Sequence, residues 1–202
     1  MLFKTFKAAA VAASATACAV AFSAPARADT VSLNIGEHNV ALAMQGPMQR
    51  LFGGADGMYD VGALFHEYRN AHDFAMAHAG FLATGDAGAR DFKLTGGLGV
   101  RAVYLHLADN NGGALAPGGF MQARVPEFER IGVMAYGYYS PSILTFARFD
   151  RYREVGLRVD YQVLRNASVY TGYRNVNLKY DAAPRAHLTV DNGWHLGMQL
   201  VF

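Results

Sequence analysis

Residues 193–202 read GWHLGMQLVF and end the chain on an aromatic side chain. Every second residue of this stretch is large and apolar: Trp194, Leu196, Met198, Leu200 and Phe202. Such alternation is typical of a β-strand with one apolar face. A strand that ends on an aromatic residue is typical of the last strand of a bacterial outer-membrane barrel. We therefore expect Phe202 to be part of the signal that the barrel-assembly machinery recognises.

Similar alternating segments occur along the rest of the chain. In residues 151–163, aliphatic and aromatic side chains share one face, while polar residues, Glu154 and Arg158 among them, share the other. Seven further candidate strands complete the set: residues 58–69, 72–83, 91–107, 119–125, 130–139, 167–178 and 193–202. The pattern predicts an all-β fold, a transmembrane antiparallel up-and-down β-barrel of about eight to ten strands.

Residues 31–36 also alternate and make the count uneven. This stretch either splits into two strands around His38 and Asn39, or lies outside the closed sheet, or one of the other boundaries is wrong.

The first 28 residues have the features of a cleaved signal peptide. Lys4 and Lys7 precede an uncharged, mostly Ala and Val stretch at residues 8–22, and Ala26 and Ala28 form the small-x-small pattern of a cleavage site. The mature protein is expected to span residues 29–202 as one barrel in the outer membrane of a Gram-negative bacterium. A competing possibility is that Cys18, the single cysteine, is a lipoprotein acceptor.

The charge of the mature chain argues against nucleic acid as a partner. The leader holds Lys4, Lys7 and Arg27 and no acid, so of 18 basic residues 15 remain against 16 acidic ones. Phosphate binding needs a concentrated basic face, which such a chain lacks. The expected partners are outer-membrane lipid and lipopolysaccharide, with the assembly machinery during biogenesis, and the protein is expected to be a monomer.

The charged residues on the inward faces of the predicted strands are the candidate lumen residues. A barrel of about eight strands has an interior that its own side chains fill, whereas water-filled porins have about 16 strands. We therefore expect a filled lumen in which these charges neutralise one another, and a narrow channel for small solutes as the alternative. The candidates are Lys93, Arg101, Glu154, Arg158, Asp160 and Arg174.

No residue pattern indicates a catalytic or metal site. The seven histidines do not have the spacing of zinc ligands, and no cofactor is expected. Ser142, or Thr189 close to His187, could be imagined as the nucleophile of a lipid-modifying enzyme, but neither lies in a recognisable motif. The chain is therefore not expected to be an enzyme.

A structural or surface-interaction role is the remaining function class. It would use the predicted outer loops at residues 109–117, 142–148 and 182–190, the second of which carries the apolar residues Ile143, Leu144 and Phe146. Alternation alone would also suit a soluble sandwich or lipocalin-like barrel. Besides the leader and Phe202, aromatic residues near predicted strand ends favour the membrane barrel, where they would form interfacial girdles. They are Tyr104, Tyr136, Tyr138, Tyr139, Tyr173, Tyr180 and Trp194.

Three short motifs resemble a known family. Residues 31–37 (VSLNIGE), 138–141 (YYSP) and 172–178 (GYRNVNL) are similar to the YfaZ-like family of small Gram-negative outer-membrane proteins. The resemblance implies an outer-membrane barrel, and it implies neither a reaction nor a ligand, so no functional residues are carried over. Residues 45–57 depart from the compact first hairpin of that family.

Overall fold

A computed structural model describes residues 29–50, 57–66, 74–86, 93–107, 110–124, 126–147, 149–180 and 186–202. The described chain consists almost entirely of β-strands, with three single-turn 3-10 helices, Met48–Arg50, Pro126–Phe128 and Ser142–Leu144. The strands are β1 (Thr30–Gly36), β2 (Asn39–Pro47), β3 (Met58–His66), β4 (Phe74–Asp86), β5 (Lys93–Leu107), β6 (Asn110–Arg124), β7 (Ile131–Ser140), β8 (Thr145–Ala147), β9 (Phe149–Leu164), β10 (Ala167–Tyr180) and β11 (Ala186–Val201).

Ten of these strands form one closed antiparallel barrel. Each pairs with its neighbours in chain order, except that β7 pairs with β9, and the ring closes where β1 pairs with β11. The three-residue β8 is not counted in this ring. It pairs with residues 112–114 of β6, beyond residues 118–124, where β6 pairs with β7. The predicted fold class is confirmed at the upper end of its strand range. Residues 31–36 begin a hairpin that turns at Glu37 and His38, which is the first of the three alternatives above.

The two ends of the described chain meet at the seam of the barrel. The backbone amide of Asp29 donates to the carbonyl of Phe202, and the backbone amide of Phe202 donates to the carbonyl of Asp29, each at 2.9 Å. We call this end of the barrel the terminal end and the opposite one the far end. The predicted signal peptide, residues 1–28, lies outside the described residues, and its cleavage after Ala28 stays a prediction.

The prediction of a long loop at residues 109–117 was wrong. Asn110 begins β6, which pairs with β5 along its whole length down to Arg124. The run of Asn and Gly there predicts a turn, but pairing with neighbouring strands outweighs local turn propensity. The other two predicted loops are also shorter, because Thr145–Ala147 forms β8 and β11 begins at Ala186. No described helix is long or apolar enough to cross a membrane.

Alternate side chains along each strand face out of and into the barrel. The outer wall is apolar: Leu98, Leu196 and Trp194 on it are each at least two-thirds exposed. Tyr104, Tyr139, Tyr173 and Trp194 are exposed, as the girdle prediction requires. Two members of the predicted girdle were wrong, since the partly buried Tyr136 and the buried Tyr138 pack with the interior core. An aromatic residue near a strand end suits the outer or the inner face of the barrel. Only the alternation of its neighbours along the strand indicates which face it is on.

Candidate functional site in the barrel lumen

The middle of the lumen holds a buried group of charged residues centred on Arg101. Its guanidinium donates from Nη1 to Oε2 of Glu154 at 2.8 Å and from Nη2 to Oδ2 of Asp60 at 2.5 Å. The ring of Tyr138 lies under the guanidinium, with its centroid 3.8 Å from Cζ. All four residues are buried. We call Asp60, Arg101 and Glu154 the ion triad.

Both carboxylates of the ion triad have further donors. Tyr152 donates its hydroxyl to Oε2 of Glu154 at 2.6 Å, and Gln45 donates its amide to Oδ1 of Asp60 at 3.1 Å. His78 Nε2 lies 3.5 Å from Oδ2 of Asp60. Buried charges are tolerated only when such partners replace the lost water. The sequence therefore supplies partners for both carboxylates and for Nη1 and Nη2 of Arg101, while Nε of Arg101 has no hydrogen-bond partner among the described residues.

The ion triad crosses the lumen from one wall to the other. Asp60 is on β3 and Glu154 is on β9, which are five strands apart in the ten-stranded ring and hence on opposite walls. Arg101, on β5, contacts both. A chain of three side chains thus spans the diameter of the barrel at this level.

A second polar cluster lies closer to the far end. Arg174 donates from Nε to Oδ2 of Asp191 at 2.6 Å and from Nη2 to Oδ1 of Asn39 at 3.3 Å. Asn39 in turn donates to Oδ1 of Asp191 at 2.9 Å. The three buried residues therefore form a closed triangle that joins β2, β10 and β11.

Apart from this cluster and the buried His66 and Ser140, the far half of the lumen is packed with apolar side chains. Leu105, Val176 and Val190 there have no exposed surface. Their neighbours in the same cluster include Leu64, Phe74, Met76, Val103, Ala114, Phe149 and Leu178. This half of the interior has the character of a soluble protein core.

The terminal half of the lumen contains a cavity of about 340 Å³. Arg158 lines it together with three glutamines, Gln45, Gln122 and Gln199, and three threonines, Thr30, Thr84 and Thr95. Met58, Phe120 and Met134 supply apolar parts of the wall. The two halves of the lumen thus differ in polarity and in how completely they are filled.

Two more arginines belong to the terminal half. Arg124 donates from Nη2 to Oδ2 of Asp160 and so forms an ion pair, as Arg101 and Arg174 do. Arg158 makes no ion pair among the described residues. Its guanidinium stacks over Tyr170, with Cζ 4.7 Å from the ring centroid, and its Nε has no hydrogen-bond partner there.

The six candidate lumen charges take different places. Arg101, Glu154, Asp160 and Arg174 are buried inside the barrel, and Arg158 lines the cavity. Lys93 differs from the expectation: its side chain is 76% exposed at the start of β5, with Nζ 3.9 Å from Glu129. Lys93 is an even number of residues from Arg101 on β5, so both side chains are on the same face of the strand. Lys93 nevertheless lies at the rim, because this first part of β5 is not enclosed by the barrel.

Sequence reasoning did not identify most of the partners of these charges. Asp60, Asp191 and Asn39 complete the polar clusters, and Tyr138 and Tyr152 contact the ion triad. Alternation could have marked Asp60 and Asp191 as inward residues. Which inward residues meet across the lumen depends on register and on the number of strands, and a single sequence does not give these.

Several of the residues considered above for a metal or catalytic site can be located in the described part of the chain. No group of three His, Cys, Asp or Glu residues within that part could hold a metal ion. The hydroxyl of Thr189, imagined above as a nucleophile, donates to the amide oxygen of Asn177 at 3.2 Å. Ser142 lies in an exposed 3-10 turn at the far end.

Comparison with known proteins supports the family resemblance. No curated protein matches the sequence. Among solved structures the chain is similar to one titled KdgM porin, at 12% sequence identity over 87% of this chain and 99% of that chain, with a TM-score of 0.36. The model of the family described as YfaZ precursor matches residues 4–202, nearly the whole sequence. The chain therefore belongs to the YfaZ precursor family.

Proposed function

We propose that the protein is an outer-membrane barrel that is closed to solutes and has a structural or surface-interaction role. The ion triad carries this proposal, because it spans the lumen between opposite strands, β3 and β9. The packed far half adds a second barrier of apolar side chains. Free diffusion of small solutes would require both barriers to be absent.

The outer wall supports the membrane location. Leu98, Trp194 and Leu196 are largely exposed on it, and apolar surface of this extent is costly in water but favourable against lipid chains. In such a membrane the terminal end would face the periplasm and the far end the exterior. Lipid and lipopolysaccharide would be the lasting partners of a monomer, and the assembly machinery would contact the strand that ends at Phe202.

The far end offers a feature suited to interaction. The 3-10 turn Ser142–Leu144 and β8 extend past the pairing of β6 with β7, and Ile143 on this extension is 85% exposed. Phe146 is also exposed there. If this extension has a surface role, the substitutions Ile143→Ser and Phe146→Ser together should reduce bacterial adhesion without changing outer-membrane permeability.

Planar bilayer recording tests the closed lumen directly. The folded protein should give no discrete conductance steps, whereas a general porin in the same bilayers gives them. Heat-modifiable gel migration shows that the sample is folded. Discrete steps from the folded wild-type protein would overturn the proposal and favour a narrow channel.

A further inference from the structure

We propose that the cavity in the terminal half of the lumen binds a small organic anion, a carboxylate whose remaining atoms carry hydroxyl groups. Arg158 would bind the carboxylate, and the glutamines and threonines around it would bind the hydroxyls. The proposal goes beyond the closed barrel and does not depend on it, since a closed and a conducting barrel could both hold such a ligand.

The first argument is the unusual position of Arg158 among the interior arginines. Arg101, Arg124 and Arg174 each donate to one or more carboxylates inside the barrel. Arg158 has no carboxylate within ion-pair distance among the described residues, although Asp160 is two positions away on the same face. Burying part of a guanidinium costs free energy unless an anion or water accepts its hydrogen bonds.

The second argument is that the guanidinium is held in place. It stacks over the ring of Tyr170, and the hydroxyl of Tyr170 donates to the carbonyl of Leu33 at 3.4 Å. The ring also lies against Gly197, where there is no room for an added Cβ beside its Cζ. A stacked arginine loses less rotamer freedom on binding, and its planar fork matches a carboxylate.

The third argument is the size and lining of the cavity. Its volume of about 340 Å³ lies at the lower end of the range for small-molecule sites. The lining amides of Gln122 and Gln199 and the hydroxyls of Thr84 and Thr95 can donate and accept hydrogen bonds, which suits hydroxyl groups. Phe120 and Met58 supply the apolar surface against which a carbon chain can lie.

Isothermal titration calorimetry on the folded protein in detergent micelles tests the proposal. Gluconate is the probe, and sorbitol is its uncharged analogue of the same length. Gluconate should bind the wild-type protein and sorbitol should not. Arg158→Gln should weaken gluconate binding about tenfold or more, since a charge-assisted hydrogen bond is lost. Arg158→Lys, which keeps the charge, should recover part of the affinity.

The matched control is Arg165→Gln. Arg165 lies in the exposed turn between β9 and β10 at the same end of the barrel, so the substitution removes the same charge without touching the cavity. It should leave gluconate binding unchanged. If Arg158→Gln does not fold, Gln122→Met tests the same cavity without altering Arg158, and it should weaken binding severalfold.

Three outcomes would overturn the proposal. The first is no binding of gluconate to the folded wild-type protein. The second is equal binding of gluconate and sorbitol, which would remove the anion from the proposal. The third is equal weakening by Arg158→Gln and Arg165→Gln, which would mean that only the overall charge matters. The conductance of the same samples is recorded separately. Absence of gluconate binding is therefore distinguishable from conduction of solutes, which would contradict the closed lumen.

Discussion

The far and terminal halves of the lumen show two ways of filling the same barrel. In the far half, apolar side chains such as Leu105 and Val176 pack without exposed surface. In the terminal half, polar and apolar residues together line a cavity of about 340 Å³. The ion triad lies between them. The difference teaches that one continuous wall of ten strands can enclose a packed core at one end and an unfilled cavity at the other.

The largest effect is expected from breaking the ion triad that separates the halves. Arg101→Met would leave Asp60 and Glu154 buried without their shared cation, which costs about 3–5 kcal/mol of unfolding free energy. Urea unfolding in lipid vesicles, followed by gel migration, measures this loss. Arg151→Met, at an exposed position of β9, is the control. Equal midpoints for the two variants would mean that the triad does not stabilise the barrel.

The next effect sharpens the contrast in packing. Leu105→Ala in the far half should cost at least about 2 kcal/mol, because the packed neighbours cannot fill the space. Met58→Ala, which enlarges a cavity that already exists, should cost less than half as much. The same urea titration measures both. A larger loss for Met58→Ala would contradict the description of the two halves.

A smaller pair of substitutions adds a methyl group in each half. A Cβ on Gly112 would approach the ring of Phe149 to 2.6 Å, and one on Gly97 would approach that of Phe120 to 2.5 Å. Phe149 is buried in the packed cluster, so Gly112→Ala should cost about 1–3 kcal/mol. Phe120 borders the cavity and can move into it, so Gly97→Ala should cost less. Thermal denaturation compares the two, and equal costs would argue against room beside Phe120.

The smallest effect is expected at the rim. Lys93 and Glu129 are 3.9 Å apart and both are more than two-thirds exposed. Exposed ion pairs of this kind add little to stability. Lys93→Gln should therefore leave the urea midpoint unchanged within error, and a clear shift would place Lys93 in the interior network after all.

The sequence was most informative where alternation is regular. Residues 151–163 were predicted as a strand, and β9 spans Phe149–Leu164. Arg101 and Glu154 were also expected inside, because a charge on a strand with an apolar outer face has no other low-cost position. The start of β6 was missed, since Asn111 and Gly112 favour a turn locally and only pairing with β5 makes them a strand.

The contacts between these residues were beyond a single sequence. Arg101 meets both Asp60 and Glu154 only because the ring has ten strands, and an eight-stranded ring would bring other residues together. The cavity has the same origin, because it is what side chains from different strands leave empty. Tyr136 and Tyr138 were wrongly predicted to lie in the interfacial girdle. A tyrosine near a strand end suits the membrane interface as well as the barrel interior, because its ring is apolar and its hydroxyl is polar.

The seam between β1 and β11 has a consequence for the order of folding. Thr30 pairs with Val201, so this ladder joins segments at nearly the greatest sequence separation the described chain allows. Hairpins such as β9 with β10 close short loops, while the seam has to bring together distant ends and therefore carries the largest loop-closure entropy cost among these pairings. Until it forms, the growing sheet has two unpaired edges that could bind another chain. Protection of these edges before closure is therefore a requirement set by the topology itself.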